Sequence, residues 1–128
     1  MEATLRTRSR CGGTSSIGGI RTVVVKGDPN KAGLYTIMLY VPANTRIAAH
    51  QHRDDHVATV VSGTWYFGYG DEFNTAALKA LPAGSYYTEP PRRAHFAETR
   101  TEPVIVQISG VGPSDTQFIN QVAKAKGE

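Results

Sequence analysis

At 128 residues, with 40% hydrophobic and 20% charged side chains, the chain has room for one buried core and does not have the composition of a disordered segment. Its net charge of +3 comes from scattered basic residues, and the short clusters at Arg6 to Arg10 and Arg92-Arg93 do not make the dense basic stripe of a nucleic-acid-binding surface. No apolar run nears the ~18 residues of a membrane span, and the single cysteine, Cys11, excludes an intramolecular disulfide.

Residues 1–19 are rich in Gly, Ser, Thr and Arg and predict a flexible arm. They lack the apolar stretch of a leader peptide, which predicts a cytoplasmic protein, or a periplasmic one if a leader has been removed. A β-branched strand follows at 21–26 and ends in the turn cluster Gly27-Asp28-Pro29-Asn30. Residues 34–41 make a second strand and 47–52 a short third one. Strands at 56–62 and 64–69 read as a hairpin folded at Ser62-Gly63. After a surface excursion over 70–76 come a strand at 78–81 and the turn Pro82-Ala83-Gly84. Residues 85–89 and 94–98 read as another hairpin, closed by Pro90-Pro91-Arg92-Arg93. The last clear strand is 104–109, with 115–120 as a further candidate. Residues 121–128 form a C-terminal tail, either a frayed helical turn or disordered. Many short strands at close spacing, with no long helix, predict one all-β barrel or sandwich domain over residues 20–120.

The chain has four histidines, His50, His52, His56 and His95, and three of them lie within seven residues. Alternate strand residues share a face, so His50 and His52 project together, and His56 keeps the same parity. Imidazoles at that spacing can converge on an ion with bonds near 2.0–2.2 Å.

Around these histidines the sequence resembles the cupin family. Its first motif runs Gly, five residues, His-x-His, three or four residues, Glu, six residues, Gly. Here it reads His50-Gln51-His52, then His56 after three residues, then Gly63 after six. The second motif runs Gly, five residues, Pro-x-Gly, two residues, His, three residues, Asn. Here it reads Gly84, Pro90-Pro91-Arg92, His95 and Thr99. The match spans about half the chain and takes in all four histidines. The departures are Asn44 for the leading glycine, His56 for the glutamate, Arg92 for the second motif's glycine and Thr99 for the asparagine. Apart from His56, these lie in turns and should change mainly local geometry.

The resemblance implies a cupin barrel, a double-stranded β-helix or jelly roll, that holds one divalent metal ion through His50, His52, His56 and His95. If His56 points outward, a three-histidine site remains. Asp54 or Asp55 would replace it after a local register slip, although both also read as solvated turn carboxylates. Nitrogen ligands with open positions favour Fe(II) or Mn(II), with Ni(II), Co(II), Cu(II) and Zn(II) as further candidates. Four neutral imidazoles would leave the site at its full +2 charge and favour a small anionic substrate. Glu89, six residues before His95, is a candidate general base or partner of a ligand imidazole; otherwise it is an exposed turn carboxylate paired with Arg92 or Arg93. Aromatic residues such as Tyr35, Trp65, Phe67 and Tyr87 occupy strand positions, and some should line an apolar pocket around the ion. The expected function is a mononuclear non-heme oxygenase; the alternatives are a metal-dependent lyase or isomerase, or a ligand-binding sensor. The resemblance also implies a homodimer, and neither nucleic acid nor membrane is an expected partner.

Overall fold

A computed structural model describes residues 19–119. Ten strands fill it: β1 (Arg21–Lys26), β2 (Gly33–Val41), β3 (Arg46–Gln51), β4 (His56–Ser62), β5 (Trp65–Tyr69), β6 (Lys79–Leu81), β7 (Tyr86–Glu89), β8 (His95–Glu98), β9 (Val104–Gly112) and β10 (Gln117–Phe118). No described helix is long and apolar enough to cross a membrane. The N-terminal arm, but for Gly19, and the tail at 121–128 lie outside the described residues.

The strands form two five-stranded antiparallel sheets, ordered β1-β2-β9-β4-β7 and β10-β3-β8-β5-β6. β2 and β9 pair over nine residues, from Gly33 opposite Gly112 to Val41 opposite Val104. On β9 the alternation of Val104, Val106 and Ile108 sends three buried aliphatics to one face. Trp65 and Phe67 of β5 and Ile47 of β3 meet them from the opposite sheet. The expected all-β barrel is therefore present, and its interior is where the two sheets face each other.

The connections differ from expectation. Neither β4–β5 nor β7–β8 is a hairpin: β4 and β7 lie in the first sheet, β5 and β8 in the second. The turns at Ser62-Gly63 and Pro90 to Arg93 exist, but each carries the chain across the barrel instead of back along its neighbour. Successive strands can then keep their apolar faces on one shared interior. Gly63 makes its crossing at φ 83°, and a Cβ there would stand 2.5 Å from the Pro103 carbonyl oxygen.

Two departures from the cupin motifs become intelligible here. Asn44 and Arg92 occupy the family's glycine positions, and both keep the left-handed backbone that glycine favours, at φ 57° and 60°. The Arg92 amide donates to the His52 carbonyl at 2.7 Å and ties the loop of His52 to the turn that leads into His95.

Between Ile47 and His50 the β3–β8 register slips: Ile47 faces Ala97, yet His50 faces His95, three residues on against two. This bulge spends one extra residue, so Ile47 and His50, of opposite parity, both point into the barrel. Ile47 joins the core, and His50 opens the site.

A candidate metal centre

Three imidazoles are aimed by backbone carbonyls. His50 Nδ1–H donates to Ala48 O at 2.7 Å, within the bulge that turns the residue inward. His52 Nδ1–H donates to Asp115 O at 2.7 Å, and His95 Nδ1–H to Arg93 O at 3.0 Å. A carbonyl oxygen only accepts, so each of these rings carries its proton on Nδ1 and leaves the Nε2 lone pair free. The rings of His50 and His95 stand 4.4 Å apart, and those of His50 and His52 5.0 Å. Ligating atoms of His50, His52 and His95 all lie within 4.8 Å of one another. His95 Nε2 is buried and has no hydrogen-bond partner among the described residues. An orphaned, fully buried lone pair costs about 1–3 kcal/mol unless something accepts it. A divalent cation among the three Nε2 atoms supplies that acceptor, and the donor set fits one.

Glu89 completes the cluster. It is 4% exposed, so the exposed turn carboxylate pairing with Arg92 or Arg93 is overturned. β4 and β7 place it directly opposite His56, and its Oε1 accepts from His56 Nδ1–H at 2.8 Å. The same oxygen lies 3.5 Å from both His52 Nε2 and His95 Nε2. That spacing is close to the ~3 Å edge of a coordination polyhedron with ~2.1 Å bonds. His52, His56 and Glu89 form a second group whose ligating atoms lie within 4.8 Å of one another. All four histidines expected at the site therefore lie, with Glu89, in two overlapping buried groups that could hold a metal ion.

His56 is buried and points inward, so the outward alternative is excluded. Its two nitrogens are both engaged. Nδ1 faces Glu89, and Nε2 faces Asp54 Oδ1 at 3.0 Å and the Tyr35 hydroxyl at 2.8 Å. Asp54 is no solvated turn residue. Its side chain is 7% exposed and accepts from the Tyr35 and Ser114 hydroxyls, both at 2.7 Å. Gly110 makes room for this pair: a Cβ there would lie 2.5 Å from Asp54 Oδ2 and 2.7 Å from the Tyr35 hydroxyl.

The electrostatics divide the histidines into two kinds. Burial, then the neighbouring charge of His95, pushes His50 down to about 3. Burial likewise lowers His52, outweighing the pull of Glu89. Burial also works against a charged His56, but the hydrogen bond and charge of Glu89, with Asp54 behind, outweigh it and raise its pKa. Burial opposes charge on Glu89 too, yet the His56 hydrogen bond and the surrounding imidazoles hold it down to about 2. Neutral imidazoles at 50 and 52 are the form a metal requires. His56, between two carboxylates, is instead biased toward its charged form.

A cavity of about 620 Å³ opens from this cluster into the barrel. The Phe67 ring lies 5.5 Å from that of His95 and 4.4 Å from that of Tyr87. Sequence reasoning found all four histidines and named Glu89. It placed Tyr35 only among the pocket aromatics and missed Ser114, Gly110 and the Asp115 carbonyl, whose partners are distant in the chain, and the Ala48 and Arg93 carbonyls, which lie two residues before the histidines they aim.

No family model matches the chain. A Bacillus subtilis protein named H2HPP isomerase is 32% identical over 84 residues, which is 66% of this chain and 32% of that protein. Among solved structures, the DMSP lyase DddQ from Ruegeria pomeroyi superposes with a TM-score of 0.63 at 17% identity, over 79% of this chain and 53% of that one. The chain thus spans about a third of the isomerase and about half of the lyase. A cupin 2 conserved barrel domain protein from Rhodopseudomonas palustris superposes with a TM-score of 0.66 at 13% identity, covering 91% of this chain and 79% of that one. Such identities speak for the fold, and the two facing sheets around a histidine cluster speak for the same one: the chain has the cupin fold, a double-stranded β-helix.

Proposed function

We propose that the protein is a metal-dependent enzyme that binds a small organic anion on a divalent ion and removes a proton from it, which either returns at another carbon, as in an isomerase, or leaves as a bond to a leaving group breaks, as in a lyase. The observation that carries this reading is the shared tautomer of His50, His52 and His95, with three free Nε2 atoms converging beside the Glu89 carboxylate.

In this reading His50, His52, His95 and Glu89 hold the ion, and His56 is a positioning residue that fixes Glu89 through its Nδ1–H. The ion, when bound, acts as a Lewis acid that polarises a substrate oxygen and eases loss of a neighbouring proton. Nitrogen and oxygen donors suit Fe(II), Mn(II), Ni(II), Co(II) or Zn(II). The protein's contribution is to hold the ligands in register, keep His50 and His52 unprotonated and enclose the substrate in the barrel. The named activities of the similar proteins, an isomerase and a lyase, support chemistry without net oxidation.

A second reading is the oxygenase. It is favoured by the proposed set of His50, His52, His95 and Glu89, which would leave two positions on an octahedral ion for substrate and O₂. Anaerobic assay of metal-loaded protein against carboxylates and β-diketones separates the two. Product formation without O₂ supports the isomerase or lyase; turnover with stoichiometric O₂ uptake supports the oxygenase. Binding with no product under either condition contradicts both and leaves a ligand-binding protein.

A further inference from the structure

Thr22, Asn30 and Thr116 line part of the cavity, but the wall around Trp65, Phe67 and Tyr87 is more apolar than its residue names suggest. Trp65 and Tyr87 have polar tips, but Trp65 Nε1–H donates to the Tyr87 hydroxyl at 2.9 Å, within the barrel. The indole N–H is thus spent within the protein. Phe67, Ile37, Leu39, Ile47, Ala97 and Ile108 line the same space with hydrocarbon.

Charge is distributed just as unevenly. Among the described residues no lysine or arginine lines the cavity. Asp28 and Asp115 do line it, and they lie at the histidine end: Asp115 contributes the carbonyl that aims His52, and Ser114 N–H donates to the carbonyl of Pro29. With a divalent ion held by three neutral imidazoles and Glu89, the metal and its ligands together carry +1. One anionic group on the substrate neutralises that charge. A second would meet hydrocarbon at one end and aspartates at the other, with no cation to compensate it.

We infer that the substrate is a monoanion with an uncharged, largely apolar body: its anionic head sits on the ion, and its body lies along the Phe67, Tyr87 and Trp65 wall. This rests on the metal-dependent reading above and adds the class of molecule. A cavity of about 620 Å³ falls in the range that encloses whole small ligands. Phe67 sets the specificity nearest the reacting end, since its ring already lies against that of His95.

Trp65 is the chain's only tryptophan, so its fluorescence reports occupancy of the cavity without any assay of turnover. Metal-loaded full-length protein is titrated with acetate, phenylacetate, gluconate, 4-carboxyphenylacetate and 2-phenylethanol. Phenylacetate should bind at least about tenfold more tightly than acetate, because it buries a phenyl ring beyond the shared head. Gluconate and 4-carboxyphenylacetate should bind at least tenfold more weakly than phenylacetate, and 2-phenylethanol should lose the benefit of the metal. Phe67→Leu should reduce the preference for phenylacetate over acetate. Ile37→Arg, which places a cation on the wall, should bring 4-carboxyphenylacetate to within a fewfold of phenylacetate. Equal affinity for acetate and phenylacetate, or for phenylacetate and 4-carboxyphenylacetate in the unsubstituted protein, overturns the inference. Protein that retains no metal after dialysis overturns the underlying reading instead, so the two failures are told apart by metal content.

Discussion

His56 and Glu89 face each other across the β4–β7 ladder and share a 2.8 Å hydrogen bond. The sequence departs from the cupin motif by placing histidine where the family has glutamate. The carboxylate is nonetheless in the cluster, supplied from the neighbouring strand, and the histidine has become its partner.

This exchange predicts an order of effects. Glu89→Ala removes a proposed ligand and should lower metal affinity further than His56→Ala, which removes its support and should cost about 10–100-fold. Competition with a chelator measures both. A larger loss from His56→Ala than from Glu89→Ala would make the imidazole the ligand and the carboxylate its support.

Gly110 carries a prediction of a different kind. Alanine there intrudes on Asp54 and the Tyr35 hydroxyl, which together hold the far side of His56. We expect Gly110→Ala to cost about 1–3 kcal/mol in denaturant unfolding and to weaken metal binding without touching a ligand. Unchanged affinity would mean that the Asp54 and Tyr35 contacts do not matter for the centre.

How much of this was legible in the chain depends on range. The strands announce themselves through β-branched runs such as Val23-Val24-Val25 and the alternating Val104, Val106 and Ile108, and the histidines cluster in sequence. Ser62-Gly63 and Pro90-Pro91 announce turns, but a turn signal says nothing of which sheet receives the chain, so both crossings read as hairpins. The bulge before His50 is invisible because Ala48 and Ala49 are ordinary strand residues, and only pairing with β8 exposes the slip. Glu89 beside Pro90-Pro91-Arg92-Arg93 looks like a surface carboxylate. Its burial follows from the β4–β7 register, which no local pattern encodes.

Position 92 tests whether the left-handed turn or the side chain matters. Arg92→Gly relieves the strained backbone but frees the unfolded chain, so stability should change by less than about 1 kcal/mol, with metal binding kept. Arg92→Val places a β-branched residue at φ 60° and should destabilise by about 1–2 kcal/mol. Equal stability of the two variants would show that the turn relaxes freely.

The metal-free protein should lose stability as pH falls below the ordinary imidazole value of 6.5. The unfolded chain takes up a proton at His50 there, whereas the folded chain excludes it until about pH 3. That single group contributes a slope of about 1.4 kcal/mol per pH unit, and His52 acts in the same direction. Glu89 adds to the loss from 4.5 down to about 2. His56 has the opposite sign: its contribution is complete below 6.5 and is lost as pH rises through its elevated value. Denaturant midpoints measured from pH 7 to pH 4 check this, and a flat profile would contradict the buried, neutral state of His50.

X-ray absorption spectroscopy on protein loaded with one equivalent of cobalt or zinc tests the centre most directly. The account predicts one tightly held ion per chain, surrounded by three imidazoles and at least one carboxylate oxygen near 2.0–2.2 Å. Fewer than three imidazoles around the ion, or no ion retained at neutral pH, would contradict it.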